Sequence, residues 1–291
     1  MPENVKFIGK RNSEEKKAEE HSQPVKSLLE KLHLKEPKPR SLEEALECVK
    51  RDAESGKLKK LADADTKEFD KLRNKKFKKH EEFSKKAEEF VGEMGEMLLS
   101  KEEVSEALKM LRGVRYTFAP DIIGGPMSLL LPHWAEYGVL DGSIHIYRDI
   151  LPKADKERSI AHEAGHLIEY YLRVKELQRG PQDPVLKEIY DRLKGDYNEL
   201  VILRVARKYS NNDKIETLVE AIEDEYAKRK GLPERFEVEV KGMDLEFVDA
   251  LRRLLKNNPT EFRRLLESPS LWYESNFKEL RAGIIQRWKN A

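Results

Sequence analysis

The chain has 291 residues, 38% hydrophobic and 38% charged, with 56 Lys and Arg against 55 Asp and Glu for a net charge of +1. That length suits one large domain or two ordinary ones, and the balanced charge argues against a dedicated nucleic-acid binder. A single cysteine, Cys48, excludes an internal disulfide and any cysteine-rich metal cluster, and it favours a reducing compartment.

Lys and Glu dominate while Gln is scarce, the balance expected of a thermophilic protein rich in surface ion pairs. The start, MPENVKFIGKRNSEEKK, carries no apolar run and does not read as a signal peptide. No stretch approaches the ~18–20 apolar residues of a membrane span. A cytoplasmic protein with no membrane span follows as the expectation.

Residues 1–40 form a polar N-terminal arm punctuated by Pro24, Pro37 and Pro39. Helices begin at Ser41, where Ser41-Leu42-Glu43-Glu44 reads as a capping box. Thr66 is placed to cap a second, long helix reaching towards Ser100, with Phe69, Leu72, Phe77, Phe83, Phe90, Val91, Met94 and Met97 as its apolar positions. A further capping box, Ser100-Lys101-Glu102-Glu103, opens a helix that ends near Gly113, so 41–112 reads as a helical module. The basic run from Lys71 to Lys86 has Phe interleaved, but Glu81 and Glu82 interrupt it. It reads as a solvated helix face rather than a nucleic-acid surface.

The composition changes at Gly113. Residues 114–118 alternate as a strand, Asp121 to Pro132 reads as a loop entering an apolar segment, and Asp141-Gly142 is a turn. Ser143 to Tyr147 is a second strand, with His145 opposite Ile144 and Ile146.

Next comes Ser159-Ile160-Ala161-His162-Glu163-Ala164-Gly165-His166-Leu167-Ile168, which contains H-E-x-x-H. Asp155 is placed to cap its helix. Positions i and i+4 share a helix face, so His162 and His166 can offer two imidazoles to one metal ion. Glu163 follows the first ligand, where it can serve a metal-bound water as general base. Glu169 is placed to orient His166 from behind.

A helix from Pro184 to about Ser210, interrupted at Gly195, leads to one from Asn212 to Lys230 with the apolar stripe Ile215, Leu218, Val219, Ile222 and Tyr226. Glu216 and Glu220 sit one turn apart on the border of that stripe, and a carboxylate there needs a partner, of which a metal is one. Residues 236–240 alternate as a strand. Residues 244–257 and 260–267 read as helices, the second capped by Thr260. A C-terminal helix carries Trp272, Tyr273, Phe277, Ile284, Ile285 and Trp288.

HEAGH resembles the motif of the zincin metallopeptidases. The metzincin pattern requires a glycine at position 169 and a histidine at position 172, where this chain has Glu169 and Leu172. The chain is closer to the gluzincin branch, whose third ligand is a Glu on a later helix. E-x-x-x-E on the helix after the motif, with a Tyr two turns earlier, looks like the catalytic domain of the anthrax lethal factor group. The resemblance covers about residues 140–228 and departs from the group at Thr217, Leu218 and Val219. It implies Glu216 as zinc ligand, Glu220 behind it, Tyr209 as oxyanion donor and one catalytic Zn2+. It also implies a strand just upstream of the motif helix that lies at the sheet edge and borders the cleft, which would let His145 face it.

The expected fold is therefore α+β and predominantly helical. A zincin-like core with a small sheet spans 113–232, between the helical module and a C-terminal helical region at 233–291. The expected function is zinc-dependent peptide hydrolysis on a peptide or protein substrate. The alternative is a zincin-fold assembly protein, virion-associated or part of another large particle, docking through the N-terminal arm and helical module.

Overall fold

The computed structural model describes residues 39–116, 135–146, 153–209, 213–231, 244–268, 271 and 273–288. It is mostly helical with one small sheet. Helix α1 is Leu42–Glu54; Ser41 Oγ accepts the Glu44 N–H at 3.2 Å, and Glu44 reaches back to the Arg40 N–H at 2.7 Å.

The long helix expected from Thr66 is two helices, α2 (Lys57–Asn74) and α3 (Glu81–Gly95). Thr66 lies inside α2 and donates to the Ala62 carbonyl at 2.8 Å, so it caps nothing. Between the helices Lys75, Lys76, Lys78 and Lys79 are exposed. In a helix these would stack like charges at i, i+3 and i, i+4. The extended segment avoids that and lets the His80 N–H donate to the Val114 carbonyl at 2.8 Å, while the His80 ring caps α3. Phe77 lies under the guanidinium groups of Arg112 and Arg115, at 5.1 and 5.0 Å.

Helix α4 (Lys101–Met110) carries the complete reciprocal capping box at Ser100 and Glu103. The sheet follows: β1 (Gly113–Tyr116), β2 (Ala135–Gly138) and β3 (Ser143–Ile146), in the order β1-β3-β2. β1 runs parallel to β3 and β2 antiparallel to it, with Tyr137 opposite Ile144 and Glu136 opposite His145. The strand expected at the edge, β3, is therefore central, with β1 and β2 on either side of it among the described residues; β2 falls between the expected loop and the Asp141-Gly142 turn, where no strand is expected.

His145 is 8% exposed. Its Nε2 lies 3.0 Å from Asp141 Oδ2 and 3.1 Å from Ser143 Oγ, and Arg115 donates to the same Asp141 oxygen at 2.6 Å. It belongs to a buried polar network at the β2–β3 turn rather than to a cleft. Residues 1–38 of the N-terminal arm, 117–118 and Tyr147 of the expected strands, the Asp121 to Pro132 loop, the 236–240 strand and Trp272 lie outside the described residues.

Helix α5 (Lys153–Arg179) carries HEAGH. It begins two residues before Asp155, which therefore lies within its first turn and is not its cap. Helices α6 (Pro184–Leu193) and α7 (Glu199–Arg207) are parted at Gly195, whose φ of 89° only glycine adopts freely, and Asn198 caps α7. Then come α8 (Asp213–Lys230), α9 (Leu245–Asn257), α10 (Pro259–Glu267) and α11 (Glu274–Trp288). Asn258, not Thr260, caps α10, accepting the Glu261 N–H at 3.1 Å, because Pro259 fills the first helical position.

Pro39–Ala291 is one compact unit. A single hydrophobic core runs from Ala45 on α1 to Ile285 on α11. The boundary expected at 112/113 parts no cores, because α3 lies along α5 and buries Phe90, Val91 and Met94. Among the described residues no helix is long and apolar enough to cross a membrane.

Candidate metal centre

The site is set by one crossing, of α5 with α8. On α5 the residues Ile160, Ala161, Ala164, Leu167 and Ile168 are buried, as are Ile215, Leu218, Val219 and Ile222 on α8. Gly165 allows the close approach: a Cβ there would lie 2.8 Å from Val219 Cγ1. Val219 is one turn beyond Glu216, so the contact fixes where that carboxylate falls.

His162, His166 and Glu216 come together with ligand atoms all within 4.8 Å of one another. Glu216 Oε2 is 3.0 Å from His166 Nε2 and 3.5 Å from His162 Nε2. The two rings stand nearly perpendicular with centroids 4.9 Å apart. The side chain of His166 is 9% exposed, those of His162 and Glu216 23% and 39%, so the group opens to one side.

Each of the three side chains has a charged partner, and each set of partners includes an arginine. His162 Nδ1 lies 3.1 Å from Glu223 Oε2, and Arg158 bridges Glu223 and Asp224 at 2.7 and 3.0 Å. His166 Nδ1 lies 3.0 Å from Glu169 Oε2, whose other oxygen is 3.1 Å from Arg173. Glu216 Oε1 faces Arg207 at 3.6 Å. Both Nδ1 atoms are engaged by carboxylates, so both Nε2 atoms present their lone pairs inward once the rings are neutral. Two imidazoles and one carboxylate so placed could together hold a metal ion.

The electrostatics agree. With the rings neutral, the five carboxylates of Glu163, Glu169, Glu216, Glu223 and Asp224 outnumber Arg158, Arg173 and Arg207 by two, a deficit that a divalent cation would answer. Without one, protons do so. Burial pushes the His162 ring down, but Glu216 and Glu223 outweigh it and hold it up at about 9. His166, likewise opposed by burial, is held up at about 10 by Glu216 and Glu169. Burial pushes the Glu216 carboxyl up, and the two imidazoles overcome this and hold it well below the usual range.

Glu163 is 8% exposed and accepts the Tyr137 N–H from β2 at 2.7 Å through Oε2. Of the remaining expected residues, Glu169 stands where it was placed. The carboxylate on His162 is Glu223, one turn beyond the Glu220 that the resemblance places behind Glu216: on α8 the face that carries Glu216 returns at i+4 and again at i+7, and the i+7 residue reaches the ring. Tyr209 is not brought to the group. It is 5% exposed, and its hydroxyl donates to Asp52 Oδ2 on α1 at 2.8 Å, since that buried carboxylate needs donors. Sequence reading missed Arg158, Arg173, Arg207 and Glu223. The i, i+4 pairs Arg158/His162 and Glu169/Arg173 were signals for two of them. No family model, curated protein or solved structure matches the chain.

Proposed function

We propose that the chain is a zinc-dependent metallopeptidase of the gluzincin kind. The observation that carries the proposal is the convergence of His162, His166 and Glu216 from two helices, beside a Glu that follows the first His. His162 and His166 would hold the ion through Nε2 and Glu216 through Oε2. Bound there, Zn2+ supplies an acidified water and a polarised carbonyl.

The residues then divide the work. Glu163 keeps Oε2 on the Tyr137 N–H and uses Oε1 to take the proton of the attacking water. It returns that proton to the leaving nitrogen as the peptide C–N bond breaks, so water adds across the bond and no other reactant is needed. β2, the outer strand beside Glu163, offers the edge along which an extended peptide would pair. Glu223 and Glu169 keep the imidazoles turned towards the ion.

The test is metal analysis of protein prepared with zinc, together with cleavage of a peptide library. One zinc per chain is expected for wild type, and none for His162→Ala. Wild type without stoichiometric zinc sinks the reading. A second reading, an assembly protein of a virion or other large particle, is favoured by one observation. Glu163 is buried and spends a carboxylate oxygen on holding β2 to α5, as a structural residue would. Glu163→Gln abolishes cleavage in the first reading and leaves assembly intact in the second.

A further inference from the structure

A carboxylate can bind zinc through one oxygen or through two. With one, a coordination position stays open for water; with two, that position is lost. What decides between them is whether the second oxygen has a partner of its own.

In Glu216 the two oxygens are already parted. Oε2 faces both imidazoles, 3.0 Å from His166 Nε2 and 3.5 Å from His162 Nε2. Oε1 faces the Arg207 guanidinium at 3.6 Å, an ion-pair contact too long for a hydrogen bond. Arg207 sits in the last turn of α7, whose buried Val201, Ile202, Leu203 and Val205 anchor that helix in the core. Its guanidinium lies over the Tyr170 ring at 5.2 Å and donates to the Tyr170 hydroxyl. Tyr170 is 3% exposed and belongs to α5, next to Glu169. The cation is therefore seated on the motif helix and aimed at the ligand on α8. A planar guanidinium suits this double task, stacking on a ring while facing a carboxylate; the point charge of a lysine does not.

We propose that Arg207 is a positioning residue that keeps Glu216 a one-oxygen ligand and thereby reserves a coordination position for water. The assignment rests on the metal reading above. It makes Tyr170 the seat of Arg207, and it gives α7 a role in the site that HEAGH alone does not reveal.

The experiment uses the full chain loaded with Co2+, whose visible absorption is strong when four-coordinate and weak at higher coordination, and azide as a probe of the exchangeable position. Wild type, Arg207→Ala, Arg207→Lys and Tyr170→Phe are compared, each checked for folding by circular dichroism and thermal melting. Wild type is expected to bind one Co2+ with strong absorption and to take azide. Arg207→Ala is expected to keep one Co2+ and to bind azide at least about tenfold more weakly, because the second Glu216 oxygen then fills the position that azide would take. Arg207→Lys and Tyr170→Phe fall between. An unchanged azide affinity in folded Arg207→Ala overturns the assignment. Complete loss of Co2+ from that folded variant overturns it too, and makes Arg207 a support for the site as a whole. Wild type that takes no Co2+ sinks the metal reading itself, and the assignment with it; Arg207→Ala in that case has nothing to change.

Discussion

The backbone N–H of Tyr137 donates to Glu163 Oε2 at 2.7 Å, joining strand β2 to the residue that follows the first His of HEAGH. One carboxylate thus serves stability and the proposed chemistry together, and two substitutions separate these. Glu163→Gln keeps an oxygen for the Tyr137 N–H and should cost under about 1 kcal/mol. Glu163→Ala leaves a buried N–H without its acceptor and should cost about 1–3 kcal/mol. Urea denaturation measures both. Under the peptidase proposal both lose cleavage by about 10²–10⁴-fold, since neither can carry the proton. Equal stabilities for the two variants would mean that the Tyr137 bond contributes nothing.

Glu223 and Glu220 make opposite predictions for one measurement. Glu223 is 3% exposed and bonded to His162 Nδ1, whereas Glu220 is half-buried on the turn before it. Glu223→Gln should weaken zinc binding by about 10–100-fold, as loss of an imidazole's outer partner does. Glu220→Gln should change it by less than that. A competition titration with a chelator reads both, and a larger effect at Glu220 would return to it the role that the resemblance implied.

The parts of this site legible in the sequence are those within one helix. Two His at i and i+4, with Glu169 one turn beyond, follow from helical periodicity alone. Glu216 was reached by family pattern, and α8 brings it to the His pair through a helix crossing that no local rule encodes. Arg207 and Glu223 lie beyond local rules for the same reason. Their partners are 37 and 61 residues away in the chain, and their charge looks like any other in a sequence this rich in ions. The helices were largely readable from apolar spacing and caps. The break at Lys75 to His80 was not, because Phe77 fits a helical stripe while the lysines around it oppose one. β2 is not legible because Ala135, Glu136 and Gly138 are weak strand formers and only Tyr137 favours a strand.

Glu176 supplies a pH dependence away from the metal residues. It is 8% exposed, and its Oε1 accepts the N–H groups of Gln182 and Asp183 at 3.1 and 3.3 Å. Burial pushes its carboxyl up to about 7, with the nearby Asp183 charge adding to the rise and the two backbone bonds opposing it. An acid raised in the folded state binds more protons folded than unfolded. Its contribution to stability therefore falls as pH climbs from about 4.5 to 7 and stays low above that. Glu176→Gln has no charge to desolvate. It should melt higher than wild type at pH 8, by about 1–3 kcal/mol, with the gain gone at pH 4.5. A difference that is the same at both pH values would show that burial does not set this carboxyl.

Tyr209 offers a direct contrast between resemblance and structure. As an oxyanion donor its hydroxyl would matter to turnover; as the partner of Asp52 it matters to folding. Asp52 is 4% exposed and also meets Lys57 at 3.3 Å, so it keeps a cation when the hydroxyl goes. Tyr209→Phe should then cost about 1–2 kcal/mol of stability and leave kcat within about twofold once folded. A fall in kcat of a hundredfold or more with stability unchanged would restore the catalytic role.

The glycine of HEAGH is the cheapest place to test whether the α5–α8 crossing builds the site. In an ordinary helix Gly→Ala gains about 1 kcal/mol. At Gly165 the added Cβ meets Val219 Cγ1 at 2.8 Å and Met94 Cε at 3.5 Å, and both neighbours are fully buried. Overpacking of that kind costs about 1–3 kcal/mol, so a modest net loss of stability is expected. The larger effect should fall on the metal. Pushing Val219 outward carries Glu216 with it, one turn along α8, while His162 and His166 stay on α5. Zinc affinity should therefore drop by about tenfold or more although no ligand has been touched. Val219→Ala added to Gly165→Ala makes room for the new methyl and should recover most of the affinity. Gly165→Ala that is more stable than wild type and binds zinc as tightly would show that the two helices have space to spare, and that something other than this contact sets the position of Glu216.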